Sequence, residues 1–310
     1  MNTTSKTPLS TSKRKIRFII NPFAGVGQKA RFAESIPQLL DLQQFDYDVC
    51  YTEYPQHATQ LAKQAVLEGC DIVAAVGGDG SINEVAKGLI GTTTILAIIP
   101  AGSGNGLAMH LGIGRKAERA IQLLNESVVM KIDTGIVNGK PFINLAGTGF
   151  DAWIAYKTKL NKVRGLWAYV KHSMLETFSY QMQDYEITID GRTINRACLV
   201  VEVANAPMFG YNFVVAPLAK LNDGLLEVVL IKKAPKWRYV FSFWRFFNKS
   251  VHQSSLTERY TAKKVSIKKI KKDLSLHLDG EGFLVSHSLE FSINELSLHI
   301  LIPPAYSEVV

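Results

Sequence analysis

Residues 71–111 read DIVAAVGGDGSINEVAKGLIGTTTILAIIPAGSGNGLAMHL, and this stretch decides the fold. Two short apolar runs, 71–76 and 94–99, each end in a glycine-rich turn and are followed by a helical pattern. Apolar runs of this length indicate buried strands, and their alternation with helices predicts a mostly parallel sheet covered on both faces. The same rhythm extends outward, so we predict an α/β N-terminal domain over residues 14–135.

The pattern changes after about residue 135. Strand-like runs with Gly and Asn turns dominate the next part of the chain, and Asp190-Gly191 is a hairpin signal. We therefore predict a C-terminal antiparallel β-sandwich domain over residues 136–294, interrupted by one helix at 166–180. The last segment, 295–310, could return to the first domain. Residues 1–13 are rich in Ser, Thr and Lys and are predicted to be a disordered tail.

The composition restricts the class of protein. The 310 residues carry a formal charge of +8, which favours an anionic partner such as nucleic acid, an acidic membrane surface or a phosphorylated ligand. The three cysteines are scattered, which argues for reduced thiols and against a disulfide framework or a zinc site. There is no secretory signal and no apolar run of roughly 20 residues. We expect a cytoplasmic protein that meets a membrane only peripherally.

Three glycine-rich turns carry the chemistry of the first domain. They read NPFAGVG at 21–27, GGDGSINE at 77–84 and PAGSGNG at 100–106, each after a predicted strand and before a helix. In an open parallel sheet such turns meet at the carboxyl ends of the strands. Glycine lets backbone N–H groups approach phosphates, and the following helix N-terminus adds partial positive charge. The turns therefore predict a polyphosphate site.

The middle turn also contains an acid, Asp79. An anion beside phosphates is unfavourable unless a cation bridges them, so the sequence implies Mg²⁺ there, although a helix N-cap is the simpler alternative. Other nucleotide and hydrolase signatures fail, because there is no Walker sequence, no kinase HRD or DFG set, no dinucleotide spacing and no GxSxG.

GGDGSINEV followed by PAGSGNGLA resembles the catalytic domain of the diacylglycerol kinase, sphingosine kinase and ceramide kinase family. The resemblance continues in NPFAGVGQKA, in GTGFDA at 147–152, in VAPLAKLNDGLLEVVLI at 215–231 and in LDGEGF at 278–283, so it covers the chain after the tail. It implies an ATP-dependent lipid kinase with a Rossmann-like first domain similar to NAD kinase and phosphofructokinase. The resemblance also implies an active site in the cleft between that domain and the β-sandwich.

The resemblance assigns roles to individual residues. Glu281 resembles the proton acceptor, with Asp79 as its catalytic partner at the phosphates. Ser81 stands where the family usually has Thr, which keeps the hydroxyl. The residues implied to hold ATP are Asn21, Thr52, Gly77, Gly78, Asp79, Gly80, Ser81, Asn83, Glu84, Gly102, Ser103, Gly104 and Asn105.

The second domain supplies a metal site and an acceptor site by the same resemblance. Asp223 looks like an Mg²⁺ ligand that is assisted by the backbone carbonyls of Lys220 and Leu225. Asp151 lies where sphingosine kinases place an acid near the lipid head group, and could pair with the amine of a sphingoid base. Asn205 lies in a loop expected to contact the acceptor. Between diacylglycerol and a sphingoid base the sequence does not choose.

Two segments could contact a membrane. Residues 236–249 mix aromatic and cationic side chains, as bilayer interfaces do, and residues 263–272 carry six lysines. Each segment could equally be an ordinary solvated face, and the lysine run is usually an edge-protecting strand. We expect anionic lipid as a partner and no nucleic acid; a homodimer is left open.

Two other functions remain alternatives at this stage. GGDG also occurs in kinases of NAD and sugars, and a catalytically inactive nucleotide-binding membrane adaptor would keep the same loops. The match in the second domain argues against the first, and the joint presence of Asp79, Asn83 and Glu281 argues against the second.

Overall fold

The structure is a computed structural model and describes residues 13–23, 29–160, 180–269, 274–285 and 288–307. The predicted tail and most of the predicted helix at 166–180 lie outside these ranges. The strands are β1 (Arg14–Ile20), β2 (Phe45–Tyr51), β3 (Ile72–Gly77), β4 (Ile95–Pro100), β5 (Val128–Val137), β6 (Lys140–Phe142), β7 (Leu145–Gly149), β8 (Gln183–Ile189), β9 (Arg192–Ala204), β10 (Leu226–Lys232), β11 (Thr257–Ala262), β12 (Lys264–Lys269), β13 (Leu274–Leu278), β14 (Glu281–Val285) and β15 (Ser288–Ile302). The helices are α1 (Lys29–Leu39), α2 (His57–Leu67), α3 (Asp79–Leu89), α4 (Gly106–His110), α5 (Ala117–Leu124), α6 (Phe150–Leu160), α7 (Lys236–Ser242) and α8 (Pro304–Ser307).

The first domain is built on four parallel strands in the order β2-β1-β3-β4. All six residues of β3 are buried, as expected for a central strand covered on both faces. Helices α2 and α3 pack closely because Gly88 has no side chain: a Cβ there would lie 2.7 Å from the Cβ of Ala62. The predicted α/β domain is confirmed.

One long strand joins the two halves of the molecule. The first part of β15 pairs with β12, and its last part lies parallel to β4, with Ile300 opposite Leu96. Strand β5 follows β15 along most of its length in the antiparallel direction. The register shifts between Asn294 and Leu298, where Leu296 takes a φ of 45°. Through β15 a single hydrogen-bonded sheet runs from β2 to β14.

The second domain is mainly antiparallel, which confirms the predicted β-sandwich. Strand β9 is its centre, with β8 and β7 on one side and β10 on the other. The lysine-rich strand β12 lies between β8 and β15, so the expectation of an edge strand is wrong. Lys264 and Lys268 are exposed because they lie on the face opposite the buried Val265 and Ile267. The Nζ of Lys268 is 3.9 Å from Oε1 of Glu186. Lys271 and Lys272 lie outside the described residues.

The sequence pattern did not predict β5, β11, β14, α6 or the short helix α8. Strand β5 reads VVMKIDTGIV, and its Lys, Asp and Gly break the alternation that marks a half-buried strand. Helix α6 is rich in aromatic and β-branched residues, which have low helix propensity. The sequence pattern predicts one strand over residues 142–145, whereas the structure has two strands there, β6 and β7. Tertiary contacts decide these elements.

The contact between α6 and β14 makes a stability prediction. A Cβ at Gly282 would lie 2.1 Å from the backbone N of Tyr156 and 2.4 Å from the backbone C of Ala155. Neither backbone atom can yield, so Gly282→Ala should lower the free energy of unfolding by about 3 kcal/mol, measured by urea denaturation. Gly80→Ala is the matched control, since its Cβ would have no neighbour within 4 Å. Equal stability of the two variants would contradict the described packing.

Candidate active site

The glycine-rich turns meet at one edge of the parallel sheet. The four strands end in register, and hydrogen bonds continue past their ends: Thr52 N–H donates to Ile20 O (2.9 Å), and Ala101 N–H donates to Gly77 O (2.8 Å). The residues that follow the strands are Asn21, Thr52, Gly78 and Ala101. The sheet therefore collects the predicted phosphate loops in one place. Residues 24–28 of the first turn lie outside the described residues.

The second and third turns touch through their backbones. A Cβ at Gly102 would lie 2.4 Å from the Cα of Gly78, and a Cβ at Gly77 would lie 2.5 Å from the hydroxyl of Ser81. A side chain at Gly102 would force the two turns apart, and a side chain at Gly77 would collide with Ser81 within the second turn. The glycines thus allow the two loops to approach each other. They also add no side chain at the N-terminus of α3, whose first N–H groups have no partner within the helix.

Side chains from separate turns complete this edge. Asn21 donates from its Nδ2 to Ser81 Oγ (2.8 Å), which joins the first turn to the second. Asn105 has a φ of 55° and its side chain spans its own turn, with Nδ2 donating to Gly102 O (2.7 Å). Thr52 and Asn83 are buried, and Asn83 Oδ1 has no hydrogen-bond partner among the described residues. Glu84 is half-buried on α3, one residue further along.

Asp79 lies between the turns and contacts the third one. Its Oδ2 accepts the N–H of Asn105 (2.8 Å) and its Oδ1 accepts the N–H of Gly106 (2.7 Å), at the start of α4. Burial raises the pKa of Asp79, while the Gly106 and Asn105 N–H groups oppose that rise. These two donors already give the carboxylate partners, so its presence beside the phosphate loops does not by itself require a metal. The position of Asp79 alone therefore does not establish an Mg²⁺ site at the loops.

A loop of the second domain covers the third turn. Tyr211 donates from its hydroxyl to Ser103 Oγ (2.6 Å), and a Cβ at Gly210 would lie 2.7 Å from the Cα of Gly104. The next residue back, Phe209, has backbone atoms against Gly106. The loop therefore places the second domain in contact with the predicted phosphate loops. Sequence reasoning missed Tyr211, because one tyrosine after a glycine carries no pattern of its own.

Glu281 begins β14 and is exposed. The turn before it is held by Asp279, whose carboxylate accepts the N–H groups of Asn144 (2.8 Å) and Ile143 (3.1 Å). Burial raises the pKa of Asp279. On the other side of Glu281, Gly282 packs against α6. The backbone is therefore held before Glu281 by Asp279 and after it by Gly282, while the Glu281 side chain is exposed to solvent.

The proposed metal residues of the second domain lie on one surface turn. Asp223 and Lys220 are exposed, and Asp223 Oδ1 accepts the N–H of Leu225 (3.1 Å). The turn is anchored by Asp133, which sequence reasoning missed. Asp133 is fully buried on β5, and its two oxygens accept the N–H groups of Gly224 (2.8 Å) and Leu296 (2.7 Å).

Asp151, which the sequence resemblance places near the lipid head group, lies against a histidine in the structure. Its Oδ2 is 3.1 Å from Nε2 of His277, and the same Nε2 is 2.7 Å from Oε1 of Glu202. Glu202 and His277 are almost fully buried. Asp151 Oδ2 therefore already lies beside His277 inside the protein, and an amine head group would have to reach a carboxylate whose two oxygens are buried. The sequence signal was the histidine two residues before Asp279, in LHLDGEG.

The protonation of this buried triad follows from its charges. Burial raises the pKa of Glu202 well above its usual value, and the nearby charge of Asp151 adds to the rise. Burial opposes the charged form of His277, but the carboxyls of Glu202 and Asp151 raise its pKa well above its usual value. A charged imidazole beside one ionised and one protonated carboxyl leaves the triad neutral.

Asn205 lies inside the protein. It is fully buried, and its Nδ2 donates to the carbonyls of Asp133 (2.9 Å) and Ile143 (2.8 Å). A lipid could reach it only if those backbone segments separated. The two hydrogen bonds of Asn205 support these backbone segments, and its contact with the acceptor stays a prediction.

Comparisons with known proteins agree over both domains. The diacylglycerol kinase catalytic domain family matches residues 15–137, and the YegS C-terminal NAD kinase beta sandwich-like domain family matches residues 144–298. A diacylglycerol kinase of Bacillus subtilis (strain 168) is 30% identical over 309 residues, which cover 95% of this chain and 98% of that protein.

Solved structures show the same fold. The crystal structure of a diacylglycerol kinase from Bacillus anthracis str. Sterne matches 96% of this chain and 100% of its own, with a TM-score of 0.74 and 20% identity. The yeast NADH kinase complexed with NADH matches 94% of this chain and 83% of its own, with a TM-score of 0.50 and 10% identity.

Proposed function

The chain belongs to the diacylglycerol kinase catalytic-domain family and is a lipid kinase of the bacterial type, and on that premise we propose that it transfers the γ-phosphoryl group of ATP to the free hydroxyl of diacylglycerol. The observation that carries the proposal is the contact of the second domain with the phosphate loops, through Tyr211 and Ser103. This contact joins the predicted nucleotide site to the domain that holds Glu281.

ATP fits the edge of the parallel sheet. Gly78 and Gly102 bring no side chain of their own to the contact between the two turns, and the first N–H groups of α3 have no partner within the helix. The residues that would hold it are those of the second and third turns, with Asn21 and Ser81 joined by their hydrogen bond. ATP supplies the phosphoryl group, and the chain positions it and stabilises its charge.

Magnesium would use oxygen ligands at two places. At the loops, the Asp79 carboxylate accepts the N–H groups of Asn105 and Gly106 and would also offer its oxygens to Mg²⁺ beside the phosphates. In the second domain, the carboxylate of Asp223 with the carbonyls of Lys220 and Leu225 is an oxygen donor set of the kind Mg²⁺ prefers, and we retain it as a structural site.

Glu281 is the proton acceptor in this proposal. An exposed carboxylate on a fixed hairpin can approach a hydroxyl at the cleft and take its proton as the new O–P bond forms. Diacylglycerol is preferred over a sphingoid base as the acceptor, because the carboxylate of Asp151 already has His277 as its cationic partner.

The lipid would be reached from the membrane surface. No helix among the described residues is long and apolar enough to cross a membrane. The segment that begins at α7 instead exposes large apolar side chains. This aromatic patch consists of Trp237, Val240, Phe241, Phe243, Trp244 and Phe247, whose exposed fractions are 62, 69, 72, 44, 54 and 50%. Contiguous exposed apolar groups of this size indicate an interaction surface.

The patch is anchored on its inner side and leads toward the phosphate loops. Tyr239 donates to Lys232 O (2.8 Å), and Phe246 stacks on Phe213 with ring centroids 4.5 Å apart. Phe213 is 6.4 Å from Phe209, the residue against the third turn. Arg245 lies 5.2 Å over the Trp244 ring and adds positive charge. Aromatic rings with cations suit the bilayer interface, so we propose that this surface docks on anionic membranes.

Removal of two rings should weaken docking. Trp237→Ala with Phe241→Ala removes the apolar area that would enter the interface, and we expect binding to vesicles of anionic phospholipid to fall about 10- to 100-fold in a sedimentation assay. Leu67→Ala is the matched control, because Leu67 is 88% exposed on α2. If the double variant binds vesicles as well as Leu67→Ala does, the patch is an ordinary surface.

The acceptor is tested by a panel. Wild-type protein is given labelled ATP with Mg²⁺ and, separately, diacylglycerol, monoacylglycerol, a sphingoid base, ceramide and phosphatidylglycerol in mixed micelles. We expect the highest kcat/KM with diacylglycerol. A higher value with the sphingoid base would show that Asp151 is available to an amine and would overturn the acceptor assignment.

A further inference from the structure

The buried triad of Asp151, Glu202 and His277 brings three potential metal-ligand atoms close together. One carboxylate oxygen from each acid and one imidazole nitrogen all lie within 4.8 Å of one another. The three residues come from α6, β9 and β13, which are distant in sequence. Glu202 is 0% exposed and His277 is 1% exposed, and both carboxylate oxygens of Asp151 are buried although 19% of its side chain is exposed.

Several of these buried atoms have no hydrogen-bond partner. Among the described residues, none is bonded to Glu202 Oε2 or to either oxygen of Asp151, and the single Nε2–H of His277 serves Glu202. A buried ionised oxygen without a partner is costly, so such atoms indicate a missing ligand or a shared proton. A shared proton can satisfy only one contact between the two carboxyls, which leaves further acceptor positions unused.

The backbone makes room for this arrangement. A Cβ at Gly147 on β7 would lie 2.7 Å from Glu202 Oε2, so only glycine lets that carboxylate sit where it does. On the other side of the triad, the Phe209 ring lies 5.3 Å from the His277 ring and shields it with apolar surface. The triad is thus a preformed cluster between a glycine strand and an aromatic cover.

We propose that Asp151, Glu202 and His277 bind one divalent transition-metal ion of the Zn²⁺ class. Two ionised carboxylates and a neutral imidazole carry a charge of −2, which one such ion cancels. When the ion enters, any protons held by the imidazole and between the carboxyls leave to solvent, so the buried site is neutral before and after. Imidazole with carboxylate is a donor set for Zn²⁺ or Mn²⁺, whereas Mg²⁺ prefers oxygen alone.

The geometry needs only a small adjustment. Ligand atoms about 2 Å from a tetrahedral centre lie about 3.3 Å apart. The present separations from His277 Nε2 are 2.7 Å to Glu202 and 3.1 Å to Asp151, so the side chains must move apart by a few tenths of an ångström. Three protein ligands leave the fourth position to water. The ion would fasten α6 and β13 to β9 beside the loop that covers the phosphate turns.

Metal binding is measured directly on the full-length, tag-free protein after treatment with a chelator. Cobalt(II) titration followed by visible absorption should give one tetrahedral site per chain, which Zn²⁺ displaces. Glu202→Gln and His277→Gln should each weaken that binding at least about 100-fold, because loss of even an outer-shell partner typically costs 10- to 100-fold. At a Zn²⁺ concentration about 100 times Kd, the wild-type Tm should rise by about 5 °C.

Two matched controls separate this site from adventitious binding. Glu227→Gln removes a buried glutamate that pairs with Arg259, and His110→Gln removes a histidine that contacts Tyr306, both outside the triad. Both variants should keep the cobalt spectrum. The proposal is overturned if wild-type protein binds no stoichiometric Co²⁺ or Zn²⁺, which would leave the triad a proton-sharing ion cluster. It is equally overturned if the controls lose the site as the triad variants do. The wild-type measurement decides even if a triad variant does not fold.

Discussion

Replacement of Glu281 by glutamine should lower kcat by about 10²- to 10⁴-fold and leave ATP binding nearly unchanged. Glutamine keeps the size of the side chain but cannot accept the proton of the acceptor hydroxyl, and a positioned general base typically contributes that factor. The side chain is exposed on a hairpin held by Asp279 and Gly282, so the substitution should not disturb the fold.

The measurement is lipid phosphorylation at saturating ATP, with nucleotide affinity determined separately by calorimetry. Glu290→Gln is the control, because Glu290 is an exposed glutamate on β15 away from the hairpin. An equal loss of nucleotide affinity and of rate in Glu281→Gln would show that Glu281 holds the nucleotide or its metal instead.

Asp79→Asn should also abolish most of the activity, with kcat/KM lowered by at least about 100-fold. Two causes act together. An asparagine cannot offer Mg²⁺ a charged ligand, and its amide N–H would face the N–H of Asn105 or Gly106, which Asp79 now accepts. The second cause should lower the free energy of unfolding by about 1–3 kcal/mol, because a buried donor loses its partner.

The two causes can be separated. If Asp79 binds Mg²⁺, the Mg²⁺ concentration that gives half-maximal rate should rise in the variant, and this shift should persist at temperatures where both proteins are fully folded. A lower Tm with an unchanged Mg²⁺ dependence would assign Asp79 to the brace between the turns alone. A variant that keeps more than about a tenth of the wild-type rate has lost less than about 1.4 kcal/mol of barrier stabilisation, which contradicts both roles.

The local pattern predicts the first domain well because its strands are continuous apolar runs. Strands β3 and β4 are buried on both faces, so nearly every residue in them is apolar. The glycine turns that follow mark where each strand ends. Strand β5 was missed because residues such as Asp133 break the alternation of apolar and polar residues that marks a strand. The strand forms because it pairs with β15, which lies more than 150 residues away. Pairing at such a distance leaves no trace in a short window of sequence.

The residues of the candidate site also fall into a part that the sequence predicts and a part that it does not. Loops that obey a local rule, such as glycine after a strand, could be found from sequence, and their convergence follows from the parallel sheet. The partners of single polar residues could not. Asp79 bonds to the third turn, Asp151 faces His277, and Asn205 supports backbone carbonyls. Each of these partners lies at least 26 residues away, and burial rather than motif decides what the side chain does.

The transfer of phosphate itself tests the central claim most directly. Purified protein is incubated with γ-labelled ATP, Mg²⁺ and diacylglycerol in mixed micelles, and the lipid product is separated by chromatography. We expect label in phosphatidic acid with wild-type protein, at a rate reduced about 10²- to 10⁴-fold in Glu281→Gln. No labelled lipid from folded, ATP-binding wild-type protein, or equal labelling by wild type and Glu281→Gln, would contradict the account.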